Sequence, residues 1–114
     1  MSVSAAQAGV FYEEVVAEQV VWTIRDAGGV PVPTNGSGLR AMPFWSKRTR
    51  AERIIESVEA YEGFHVQEIP LGEFRERWLP GLAKDGHLVG INWSGQRATG
   101  YDIEPEKLLA RLSV

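Results

Sequence analysis

Apolar positions recur along this chain with two periods, and a change from one to the other marks the end of an element. From Ala5 to about Glu18, Ala8, Phe11, Val15 and Gln19 fall near helical spacing with Glu13, Glu14 and Glu18 turned outward, which predicts an amphipathic helix. Gly9 allows a later start. Val20 to Arg25 then switches to β-branched and aromatic residues, the composition of a strand, and Asp26-Ala27-Gly28-Gly29 supplies turn chemistry. Val30 to Pro33 alternates valine with proline, which cannot donate to a ladder, so this stretch is an edge strand at best. After a second turn at Thr34 to Gly38, Leu39 to Trp45 reads as a strand with Pro43 at its edge or end. The first half is therefore expected to be a helix followed by a small antiparallel meander.

The second half repeats the alternation. Ser46 is placed to cap a helix on which Ala51, Ile54, Ile55 and Val58 form one stripe, ending before Gly63. Phe64 to Ile69 reads as a strand closed by Pro70, and a third helix follows in which Leu71, Phe74, Trp78 and Leu82 share a face. Pro80 lies inside that pattern and predicts a kink or break, because it removes a backbone donor. An Asp85-Gly86 turn leads into a strand from His87 to Trp93. Period two puts His87, Val89, Ile91 and Trp93 on the core face and Leu88, Gly90 and Asn92 opposite. Gly90 leaves a gap there that another backbone, a side chain or a ligand can fill. Ser94 to Arg97 turns the chain into a last strand around Ala98 to Ile103, and Pro105 opens a C-terminal helix carrying Leu108, Leu109 and Leu112. The expectation is one α+β domain over residues 1–114, frayed at 1–4. It has a mostly antiparallel sheet of five or six strands, with three or four helices packed mainly on one face.

Composition changes this picture little. A chain of 114 residues with 44% hydrophobic and 24% charged residues is an ordinary globular domain, long enough for one core. With no cysteine there is no disulfide, thiolate metal site or cysteine nucleophile, and a reducing compartment fits. The N-terminus has neither a basic nor an apolar leader region and no apolar run reaches membrane-spanning length, so the chain is read as uncleaved and cytoplasmic. A net charge of −3 weighs against nucleic acid as a partner.

Candidate chemistry is sparse. Ser94, His87 and Asp102 invite a hydrolase reading, but Ser94 lacks a G-x-S-x-G frame and His87 stands seven residues away on the same expected strand, roughly 20 Å off. A hydrogen-bonded strand-end histidine and a turn serine are the plainer reading, and nothing positions His65 as a base instead. The two histidines show no ligand spacing, so no metal and no cofactor are expected. Two features remain as binding candidates. Arg40, Lys47, Arg48, Arg50 and Arg53 lie within fourteen residues holding one acid, Glu52, at a predicted helix start where an anion is favoured; a solvated helix face is the alternative. Trp45 and Trp93 each adjoin a serine at a strand end, and with Asn92, Ser94 and Tyr101 they can form a polar and aromatic corner, core packing being the alternative. The candidate binding residues are thus Arg40, Trp45, Arg48, Arg50, Asn92, Trp93, Ser94 and Arg97.

Several segments together resemble a bacterial family, the domain-of-unknown-function 2750 family. They are the Phe11 helix, Val21-Trp22-Thr23 running to Asp26 and Gly29, Pro43-Phe44-Trp45-Ser46 entering a helix with Ala51, then Ile69, Leu71 and Phe74. Trp78-Leu79-Pro80-Gly81-Leu82, Asp85-Gly86 and Gly90-Ile91-Asn92-Trp93 complete the set. The resemblance spans residues 11 to 112 and implies a compact α+β domain with no assigned catalytic or binding residues. More distantly, the Pro-aromatic strand entering a helix and the later strand ending in Asn resemble SseB-type enhancer domains of secretion systems, which implies protein–protein interaction. The expected function is a non-catalytic interaction or binding module, with another protein or a second copy of itself as partner. The alternative is a small-ligand protein or enzyme using the Asn92–Ser94 corner.

Overall fold

The computed structural model describes residues 3–112. Helix α1 (Val3–Glu18) buries Ala8, Phe11 and Val15 and ends where Gln19 enters the left-handed region at φ 58°, its N–H donating to the Val15 carbonyl at 2.8 Å. Of the residues expected to fray, Val3 and Ser4 are helical, and Met1 and Ser2 lie outside the described residues. Strand β1 (Val20–Arg25) follows at once and pairs antiparallel with β3 (His65–Pro70), from Val20 opposite Pro70 to Arg25 opposite His65. Strand β2 (Ala41–Phe44) pairs parallel with β4 (Leu88–Ser94), which pairs antiparallel with β5 (Thr99–Ile103).

The expected single, mostly antiparallel sheet is therefore two small sheets, β1-β3 and β2-β4-β5, with two antiparallel pairings and one parallel. Pro43 accounts for the division. Trp22 and Trp45 exchange both backbone hydrogen bonds, at 2.8 and 2.7 Å, and form an isolated antiparallel bridge between β1 and β2. The next hydrogen-bonded pair in such a ladder lies two residues on, at Ile24 and Pro43, and Pro43 has no N–H to give. The Thr23 hydroxyl instead donates to the Pro43 carbonyl at 2.8 Å. The meander expected after β1 is absent too: residues 30–33 form no strand, and the loop is tied by the Asn35 side chain, whose Oδ1 accepts from the N–H groups of Ser37 and Leu39.

Helix α2 (Arg48–Ser57) carries the expected stripe, but Lys47, not Ser46, is its N-cap residue, because the Ser46 side chain is engaged elsewhere. The third helical run begins at α3 (Leu71–Glu73), passes through a π-helical stretch (Phe74–Trp78) and continues as α4 (Leu79–Asp85). Pro80 does not break it. The run instead widens just before the proline, where the Leu79 N–H donates to the Phe74 carbonyl five residues back. Gly86 closes α4 at φ 73°, and α5 (Pro105–Leu112) ends the described chain.

Helices cover both faces of the strands, not mainly one. On one side α1, the 71–85 run and α5 pack on Val21, Phe44, Ile69, Val89, Ile91 and Ile103. On the other, Ala51 and Ile54 of α2 and Val58 just past its end pack on Ile24, Ala41, Trp45 and Trp93. No helix among the described residues is long and apolar enough to cross a membrane.

Candidate functional site

The exit of β4 is shaped by one backbone angle. Asn92 sits at φ 47°, and the β4–β5 register shifts between Ile91 and Ser94. The irregularity carries Trp93 off the face it is expected to share with Val89 and Ile91 and onto that of Leu88 and Gly90. A Cβ on Gly90 would stand 2.3 Å from the Trp93 ring, and one on Gly100 would stand 3.0 Å from it. The gap at Gly90 is thus filled by the protein's own indole. Trp93 Nε1 donates to Asp102 Oδ1 at 2.9 Å, and Asp102 Oδ2 accepts from Asn35 at 2.9 Å. Trp45, with no exposed surface, donates from Nε1 to the Trp93 carbonyl at 2.8 Å.

The left-handed backbone at Asn92 costs about 1–3 kcal/mol, and its side chain supplies the compensation. Asn92 Oδ1 accepts from the buried Ser46 N–H at 2.9 Å, and Asn92 Nδ2 donates to Ser46 Oγ at 3.0 Å. Without that acceptor the buried N–H would be unsatisfied, a penalty of about 1–3 kcal/mol by itself. Ser46 Oγ donates to Glu14 Oε1 at 2.6 Å, and Glu14 receives Arg50 through two parallel bonds, Nε to Oε1 at 3.0 Å and Nη2 to Oε2 at 3.3 Å. Burial raises the Glu14 carboxyl, but the Ser46 and Arg50 hydrogen bonds and the charges of Arg50 and Lys47 outweigh it and hold the group below the usual glutamate range. Glu18 pairs with Lys47 at 3.0 Å, so two acids of α1 clamp the basic start of α2. Glu18 is exposed, as the helical pattern is expected to place it, whereas Glu14 is partly buried in the network.

Beside this network lies a pocket of about 350 Å³, lined by Arg50, Arg53, Ile54, Glu56 and Ser57 of α2 and by Asn92, Trp93, Ser94 and Gly95 at the β4 exit. It brings together four of the eight expected residues: Arg50, Asn92, Trp93 and Ser94. Trp45 is enclosed in the core. Arg48 lies over the Trp22 ring at 5.7 Å and pairs with Glu52, and Arg40 donates to the Val32 carbonyl. Arg97 lines a separate cavity of about 270 Å³ with Asn35, Tyr61, Gly100 and Asp102. The indoles are not a shared exposed surface: Trp93 is 5% exposed and meets the pocket at its wall.

Arg53 and Glu14 were not among the expected site residues. Arg53 was in the basic run, and it is the member of that run in the pocket with no ion pair among the described residues. Glu14 had a legible signal, since at 100° per residue it falls about 60° from Phe11, on the flank of the buried stripe. Neither histidine lines the pocket, and His87 Nδ1 is buried without a hydrogen-bond partner, unlike the bonded strand-end histidine expected.

A solved structure titled "Anabaena Tic22 (protein transport)" is similar to this chain at 16% identity and a TM-score of 0.44, covering 79% of this chain and 46% of that one. No curated protein matches in sequence. The family described as "Protein of unknown function (DUF2750)" matches residues 8–112, and the chain belongs to it.

Proposed function

We propose that this protein is a non-catalytic binding module whose site is the pocket between α2 and the β4 exit, and that it takes an acidic segment of a partner protein there. The observation that carries this reading is the joint lining of one pocket by Arg50, by Arg53, which forms no ion pair among the described residues, and by the Asn92–Gly95 turn. Arg50 is already neutralised by Glu14, so the positive charge on offer is that of Arg53, with the Glu56 carboxylate elsewhere on the lining, and the planar Arg53 guanidinium suits a carboxylate. Ser57 and Ser94 add hydroxyls at the rim, and the Trp93 edge and Ile54 give the pocket an apolar wall. The strained Asn92 is held by a buried network, so the turn is positioned before a ligand arrives and ordering costs on binding are small.

The second reading, a small-ligand protein, draws on the pocket volume, which lies in the range that encloses small molecules. A backbone-amide NMR titration separates the two. With an acetylated peptide of alternating Asp and Glu as probe, the expected shifts fall on Arg53, Ser57 and Asn92 to Gly95, and are lost in Arg53→Glu. Succinate or inorganic phosphate shifting the same amides at lower concentration than the peptide favours the small-ligand reading. Shifts confined to other surfaces remove the site altogether.

A further inference from the structure

The opposite face of the strands carries a second pocket, of about 260 Å³, lined by Met42, Arg77, Trp78, Gly81, Leu82 and Asp85. Its shape follows from the helix beside it. Arg77, Gly81 and Asp85 are four residues apart and share one face, each step advancing about 6 Å along the axis. Gly81 has no side chain where its neighbours do, and a Cβ built there meets nothing within 4 Å. The result is a hole in the helix surface, floored by Leu82 and the half-buried Trp78 and Met42. Trp78 is itself steadied edge-on against Phe44, at 5.8 Å and 89°.

Two further observations point to an occupant. Arg77 and Asp85, one turn to either side of the hole, form no ion pair among the described residues, so both charges face the pocket uncompensated. The π-helical stretch Phe74–Trp78 ends at the pocket wall, and single π turns inside α-helices are frequent at functional sites. A residue such as leucine at position 81 would favour the helix and fill the hole, so glycine there leaves helix stability unused.

We infer that this pocket is a docking site for a helix of a partner protein, which inserts one bulky apolar side chain over Gly81. That side chain is flanked by an acid facing Arg77 and a base facing Asp85. Charge complementarity selects this occupant: opposite charges stand one helical turn on each side of the hole, the spacing of i, i+4 and i+8 on a helix packed alongside. A buried apolar anchor with a polar rim is the arrangement of an interaction hot spot. The inference concerns a different surface from the Arg53 pocket and stands or falls separately.

The test uses the full chain and a stapled helical peptide carrying Glu, Leu and Lys at i, i+4 and i+8. The peptide is expected to shift the amides of Arg77 to Asp85, and replacing its Leu by Ala should weaken binding at least ten-fold. Gly81→Leu should raise the melting temperature and abolish binding, which separates loss of the site from loss of the fold. Arg77→Glu should turn the preference toward a Lys-Leu-Lys peptide. Unchanged affinity in Gly81→Leu, or no shift of these amides at millimolar peptide, overturns the inference. Free L-leucine shifting the same amides as strongly as the peptide overturns it as well, in favour of a metabolite site.

Discussion

At Asn92 the chain turns left-handed, and the Trp93 indole comes to lie across Gly90 and Gly100. Strand periodicity placed Trp93 with Val89 and Ile91, and it marked Gly90 as a point of close approach without saying what approaches. The positive φ is local chemistry that period two does not encode, although asparagine is the non-glycine residue most at ease there. The Ser46 amide that rewards it lies 46 residues away in sequence. A direct consequence concerns Gly90→Ala. The new methyl would stand 2.3 Å from an indole that cannot withdraw without losing its bond to Asp102, on a residue whose backbone carbonyl is held by Trp45, so the strand or the ring must shift. The variant is expected to lose about 3 kcal/mol of stability by urea unfolding. A loss below about 0.5 kcal/mol would mean that Trp93 is not held as described.

Between elements, the clamp of α1 on α2 makes stability depend on pH in a stated direction. Glu14 is held below its ordinary value of 4.5, so its contribution is fully present above that value and is lost as pH falls through the folded-state one. Glu14→Gln should therefore cost about 1.5–3 kcal/mol at pH 7, the range for hydrogen bonds to a charged group. The gap from the natural protein should narrow below pH 4.5, as measured by urea midpoints at pH 7 and pH 3. A gap that is constant across this window would place the Ser46 and Arg50 contacts outside the folding balance. The elements themselves were largely legible. The α1 and α2 stripes, β1, β3, the 71–85 run and the Pro105 helix start all follow from spacing and turn residues. Their pairing was not, because Pro43 acts only once β1 has come alongside β2, and because strand order depends on contacts far apart in sequence. The parallel β2–β4 pair needs the whole of α2, β3 and the 71–85 run as its crossover, and no local pattern announces that.

For the molecule as a whole, packing of helices on both faces leaves two pockets on opposite sides, one rimmed by Arg50 and Arg53, the other by Arg77 and Asp85. The basic run was visible in the sequence as a charge excess, yet only the fold sorts its members. Lys47 and Arg50 are spent on α1, Arg48 lies on Trp22 beside Glu52, and Arg53 keeps its charge for the pocket. An anion entering there meets one guanidinium that has no ion pair among the described residues, beside the Glu56 carboxylate, so binding should weaken with salt and depend on Arg53 above the others. The most direct measurement is calorimetric titration of the natural protein and Arg53→Glu with the acidic peptide at low and at physiological ionic strength. The account predicts binding by the natural protein that weakens with salt, and none by a variant whose melting temperature is unchanged. Equal binding by both proteins, or no heat from either at millimolar peptide, would contradict it.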